Sequence, residues 1–109
     1  MTTITIQKTG SNEYSAFRFE GHSGFAESGK DIVCASISVL VINTINSIET
    51  LTSDKLEVET NEKKGLISGR FSGHPSMEAT LLLDSMLLGL KEIEKQYGKK
   101  FIKLKFEEV

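Results

Sequence analysis

From Asp31 to Leu51 the chain runs 21 residues without a glycine or a proline. β-branched side chains crowd this stretch, and such residues favour strands. No ordinary strand is that long, however. Val33, Ile37, Leu40/Val41, Ile45, Ile48 and Leu51 recur every three to four positions, with Ser36, Asn43, Ser47 and Thr50 on the other side. That period is helical, and the segment is expected to be an amphipathic helix facing a core.

What flanks the helix alternates instead. Thr3–Lys8 and Tyr14–Glu20 read as strands joined across Thr9-Gly10-Ser11-Asn12, with Tyr14, Ala16 and Arg18 opposite Ser15, Phe17 and Phe19. Lys55–Thr60 and Leu66–Phe71 form a second hairpin around the charged tip Asn61-Glu62-Lys63-Lys64-Gly65. Pro75 suits the first turn of a second helix, whose pattern Leu83, Met86/Leu87, Leu90, Ile93, Tyr97 ends at Gly98, a C-cap residue. Phe101–Phe106 alternates once more, with Ile102, Leu104 and Phe106 on one side. The expected order is ββαββαβ: an α+β fold with a mixed, largely antiparallel sheet and two helices. At 109 residues, 39% of them apolar, the chain suits a single domain, 1–109, with one core.

Composition removes several function classes. A net charge of −2 gives no electrostatic reason to expect direct nucleic-acid or anionic-membrane binding. The strongly apolar run from Ser36 to Ile48 is interrupted by Asn43, Thr44, Asn46 and Ser47, too short and polar for a membrane span. Met1-Thr2-Thr3-Ile4-Thr5 has no basic or apolar leader character, and Cys34 is the only cysteine. These features point to the cytoplasm and exclude an intrachain disulfide.

The chemistry concentrates between Gly21 and Ser38. Asp31 is placed as an N-cap, which makes Cys34 the third helical residue. Unpaired N–H groups and the helix dipole favour an anion there, hence a thiolate over a thiol. His22 ends the preceding strand twelve residues earlier, across a ten-residue loop containing Gly21, Gly24 and Gly29. If that loop folds back, an imidazole meets a thiolate, the pairing used for acyl transfer. The alternative is that His22 fills a strand end and Cys34 packs in the first turn. Phe71-Ser72-Gly73-His74 echoes Phe19-Glu20-Gly21-His22, each closing a hairpin before a helix. A metal reading of His74 with His22 and Cys34 lacks a carboxylate at matching spacing, so helix entry suits His74 better and no cofactor is expected.

Gly21-His22-Ser23-Gly24, four residues, then Gly29-Lys30-Asp31-Ile32-Val33-Cys34-Ala35 and Ser38 closely resemble the signature of the bacterial ribosomal-processing cysteine proteases called Prp. The element order and length agree across the chain. The resemblance implies that Cys34 is the nucleophile and His22 its general base and acid. It further implies a homodimer that removes a short N-terminal extension, after an aromatic pair, from the twenty-seventh large-subunit ribosomal protein of Firmicutes and related bacteria. In such a mechanism the oxyanion would face the backbone N–H of Cys34 or a neighbour. Asp31 either orients His22 or only caps the helix, and its spacing suits the cap. Ser38 lies one turn beyond Cys34 on the same face. Gly21, Gly24 and Gly29 would let the loop close over a peptide, with Phe25 as a lid side chain or else a core anchor. The rival readings are a ribosome-associated binding or assembly protein with an inert cysteine, and a redox sensor acting through Cys34.

Overall fold

The computed structural model describes all residues except 23, 25 and 28–30. Its elements are β1 (Thr2–Lys8), β2 (Tyr14–Glu20), α1 (Ile32–Leu51), β3 (Leu56–Asn61), β4 (Leu66–Phe71), α2 (Met77–Tyr97) and β5 (Ile102–Glu108), the expected ββαββαβ order. The five strands form one sheet in the order β3-β4-β2-β1-β5. β5 runs parallel to β1 and every other pairing is antiparallel. The two edge strands carry charges that discourage further pairing: Glu57 and Glu59 on β3, Lys103 and Lys105 on β5.

A single core joins the sheet to the helices. Ile4, Ile6, Phe17 and Phe19 meet Val33, Ile37, Val41, Ile45 and Ile48 of α1 and Ala79, Leu83, Met86, Leu87 and Leu90 of α2. Thr44 is the polar member of the buried α1 face, and its hydroxyl donates to the Leu40 carbonyl at 2.7 Å. The helix period therefore wins over β propensity, because α1 has a continuous apolar face to bury. With 20 residues and a mean hydropathy of 1.6, α1 is long and apolar enough by composition to cross a membrane, which the run 36–48 was not. Here its apolar face is spent on the core.

Three local expectations are corrected. β2 slips its register against β1, since Gln7 pairs with Ala16 but Lys8 pairs with Tyr14. Such a bulge reverses the alternation beyond it. Tyr14 thus joins Phe17 and Phe19 in the core, and its hydroxyl donates to Asp84 of α2 at 2.5 Å. Leu51, assigned to the inner face of α1, is 72% exposed as the last residue of the helix. Pro75 precedes α2 instead of opening it. Ser76 is the N-cap, accepting from the Ala79 N–H, and Asp54 in turn accepts from the Ser76 N–H and hydroxyl. Gly98 does end α2, with φ at 100°.

β2 and β4 are locked by shape as well as by hydrogen bonds. Phe17 pairs with Gly69, and a Cβ added to Gly69 would lie 2.4 Å from the Phe17 Cζ. Phe17 is 2% exposed, so its ring has nowhere to retreat. Gly69→Ala is expected to lower stability by about 1–3 kcal/mol through overpacking. Urea unfolding checks this, and a change within ~0.5 kcal/mol would show that the ring has room to move.

Candidate active site

Two handovers build the site. β2 ends at Glu20, and Gly21 turns the chain with φ at 96°, its Cα facing the Met1 carbonyl so closely that a Cβ would sit 2.6 Å from that oxygen. His22 follows and is exposed. On the other side Asp31 caps α1, accepting the Cys34 N–H at 2.9 Å, and its carbonyl accepts the Ala35 N–H at 3.0 Å. Cys34 is therefore the third helical residue, half-buried and lining a cleft.

That cleft, about 300 Å³, brings His22, Cys34 and Ser38 together with Gly21. Phe19, Ile37, Val41, Ile42, Leu66 and Ile67 give it an apolar lining. Neither the Cys34 thiol nor the Ser38 hydroxyl has a hydrogen-bond partner among the described residues. The His22 ring is engaged elsewhere: its Nε2 lies 3.5 Å from the Lys63 carbonyl, at the outer limit of a hydrogen bond.

One expected role changes. The Cys34 N–H was a candidate donor to an oxyanion, but Asp31 already holds it, and the Ala35 N–H is held too. Asp31 is thus a cap by geometry. Gly24 has φ at 77°, so a side chain there is strained whatever space surrounds it. Phe25 and Gly29, given a lid and a hinge role, lie outside the described residues. His74 does not line the cleft. It sits at the opposite end of the sheet, its Nδ1 3.0 Å from Glu13.

Sequence reasoning missed the far wall. Thr60, Asn61, Glu62 and Gly65, from the β3–β4 hairpin, line the same cleft. A charged five-residue tip reads as a solvated turn. Only the β2–β4 pairing, which sets Phe19 against Ile67, carries that tip to the His22 end of β2.

A helix-start thiol and an imidazole share an apolar cleft on this sheet, the residue types a cysteine protease uses. A family model described as Cysteine protease Prp matches residues 1–103, and the chain belongs to that family. The ribosomal processing cysteine protease Prp of Staphylococcus aureus strain Mu50 is 31% identical over 98 residues, covering 90% of this chain and 92% of that one. The Bacillus subtilis protein of the same name is 28% identical over 101 residues, covering 89% and 90%. A crystal structure of the essential S. aureus protease with a covalently linked product peptide superposes with a TM-score of 0.92 at 30% identity, over 98% of this chain and all of that one.

The cap assignment has a direct check. Asp31→Ala should cost about 1 kcal/mol, whereas Asp31→Asn, an equally good cap, should cost far less. Thermal unfolding of both variants reads the difference. If both were equally destabilised, the carboxylate charge and not the cap bond would hold the α1 start.

Proposed function

We propose that the chain removes the N-terminal extension of a bacterial large-subunit ribosomal protein, the twenty-seventh of the L series, with Cys34 as nucleophile and His22 as general base and acid. The observation that carries this reading is the shared cleft of Cys34, His22 and Ser38. The names of the similar proteins support ribosomal processing, and the covalently linked product peptide in the S. aureus structure supports a peptide substrate. The apolar lining suits an aromatic pair before the scissile bond, since aromatic side chains gain most from such burial.

In this mechanism the Cys34 Sγ attacks the scissile carbonyl carbon. His22 then protonates the leaving amine as the C–N bond breaks, and water resolves the thioester. With the Cys34 N–H committed to Asp31, the Ser38 hydroxyl is a donor in the cleft that is free to meet the oxyanion. The enzyme acts in the cytoplasm as a homodimer. Its single thiol, Cys34, supports the first statement and the family resemblance supports the second.

Cleavage of a synthetic peptide spanning the extension tests the assignment. Cys34→Ala should abolish cleavage with the fold intact, and residual turnover by the purified variant would remove Cys34 as nucleophile. His22→Ala should slow turnover by about 10²–10⁴-fold, the usual worth of a positioned acid and base. Unchanged kinetics would remove His22.

A further inference from the structure

The β3–β4 tip does more than wall the cleft. It lies against the strand end that carries His22 at three points. The Gly21 N–H donates to the Lys64 carbonyl at 3.1 Å, and the His22 Nε2 faces the Lys63 carbonyl at 3.5 Å. Gly65, with φ at 61°, lies so near that a Cβ would come within 2.5 Å of the Gly21 oxygen and 3.2 Å of the His22 Cε1. The turn is itself held, by the Gly65 N–H to the Glu62 carbonyl at 3.1 Å and by the Lys64 N–H to the Asn61 side chain at 3.2 Å.

We infer that the Lys63 carbonyl is the positioning acceptor for His22, so that Nδ1 is the ring nitrogen that exchanges protons with Cys34. This rests on the cysteine–histidine reading of the cleft. A carbonyl oxygen accepts and never donates, so a ring nitrogen bonded to it must carry a hydrogen. The proton on one imidazole nitrogen is set by the bond the other makes. Nε2–H to Lys63 therefore leaves a lone pair on Nδ1. Nδ1 takes the proton from the Cys34 thiol as the thiolate forms. It passes that proton to the amine nitrogen when the C–N bond breaks and the C–S bond has formed. It then takes a proton from the water that attacks the thioester, and returns it to the departing thiolate as the C–S bond breaks. Through all of these transfers the Nε2–H bond to Lys63 stays and steadies the imidazolium. Catalytic histidines are commonly oriented by a third group. In this chain Asp31 accepts the Cys34 N–H as the helix cap, and a backbone carbonyl takes the orienting place.

The test reads the ring directly. In ¹⁵N-labelled protein, long-range ¹H–¹⁵N spectra distinguish the two tautomers, and only His22 and His74 have to be assigned. The neutral His22 of the wild-type chain should be the Nε2–H form. Two variants displace the carbonyl: Glu62–Gly65 replaced by Asn-Gly, a two-residue hairpin turn, and Gly65→Ala, which pushes the tip off Gly21. Each should mix the tautomers and lower kcat on the peptide by about 10–10²-fold, the scale of a small misplacement. Each should also slow iodoacetamide capture of Cys34 at neutral pH. The spectrum and the alkylation need no substrate. A chain that failed to cut the ribosomal peptide would count against the proposed function. An Nδ1–H ring in the wild type, or a tautomer and alkylation rate unchanged in a folded variant, would overturn the inference about Lys63.

Discussion

The pairing of β2 with β4 is the constraint on which the rest of the molecule depends. It sets the fully buried Phe17 ring in the space that a side chain at Gly69 would need, and it sets Phe19 beside Ile67. Because side chains alternate with period two, a slip of one residue would turn both aromatic rings out of the core. The same register has a second consequence at the far end of the strands. It brings the start of β4, and with it the whole β3–β4 turn, against the end of β2. Core packing and site assembly are therefore one event: the force that buries Phe17 also delivers the Lys63 and Lys64 carbonyls to Gly21 and His22.

At the opposite wall the start of α1 solves a different problem. The first N–H groups of a helix have no partner within it. Asp31 takes the one on Cys34, so the helix begins cleanly and the thiol is held at its positive end. The cost is that this N–H is no longer free to stabilise an oxyanion. Ser38, one turn along and on the same cleft, has a hydroxyl that no described residue engages.

Most of this was legible in the sequence where one local rule acted alone. The period of Asp31–Leu51, the cap at Asp31, the stop at Gly98 and the two hairpins all follow from neighbours within four residues. Illegible features are those decided by distant chain. The bulge that turns Tyr14 inward is set by β1, and the displacement of Pro75 by Asp54 reaching Ser76. The site divides in the same way. Cys34 and His22 stood out by residue type and helix position, whereas the turn 62–65 contributes main-chain oxygens and a positive-φ glycine, which no residue-type pattern advertises.

The two Phe-x-Gly-His segments make the point within one chain. Both close a hairpin before a helix, yet Gly21 adopts a left-handed φ against the Met1 carbonyl, while Gly73 stays out of that region with open space around it. His22 then faces a neighbouring turn and lines the cleft with Cys34, and His74 meets Glu13 in solvent at the other end of the sheet. Nearly the same local sequence thus gives one histidine in a cleft with Cys34 and one beside an acidic side chain at the other end of the sheet. The difference lies in the partners: β4 starts beside the end of β2, and α1 begins with a capped cysteine. After His74 the chain turns into α2, whose cap Ser76 is held by Asp54. What each histidine ring faces is set by the sheet register, and that is a property of the paired strands and not of the motif.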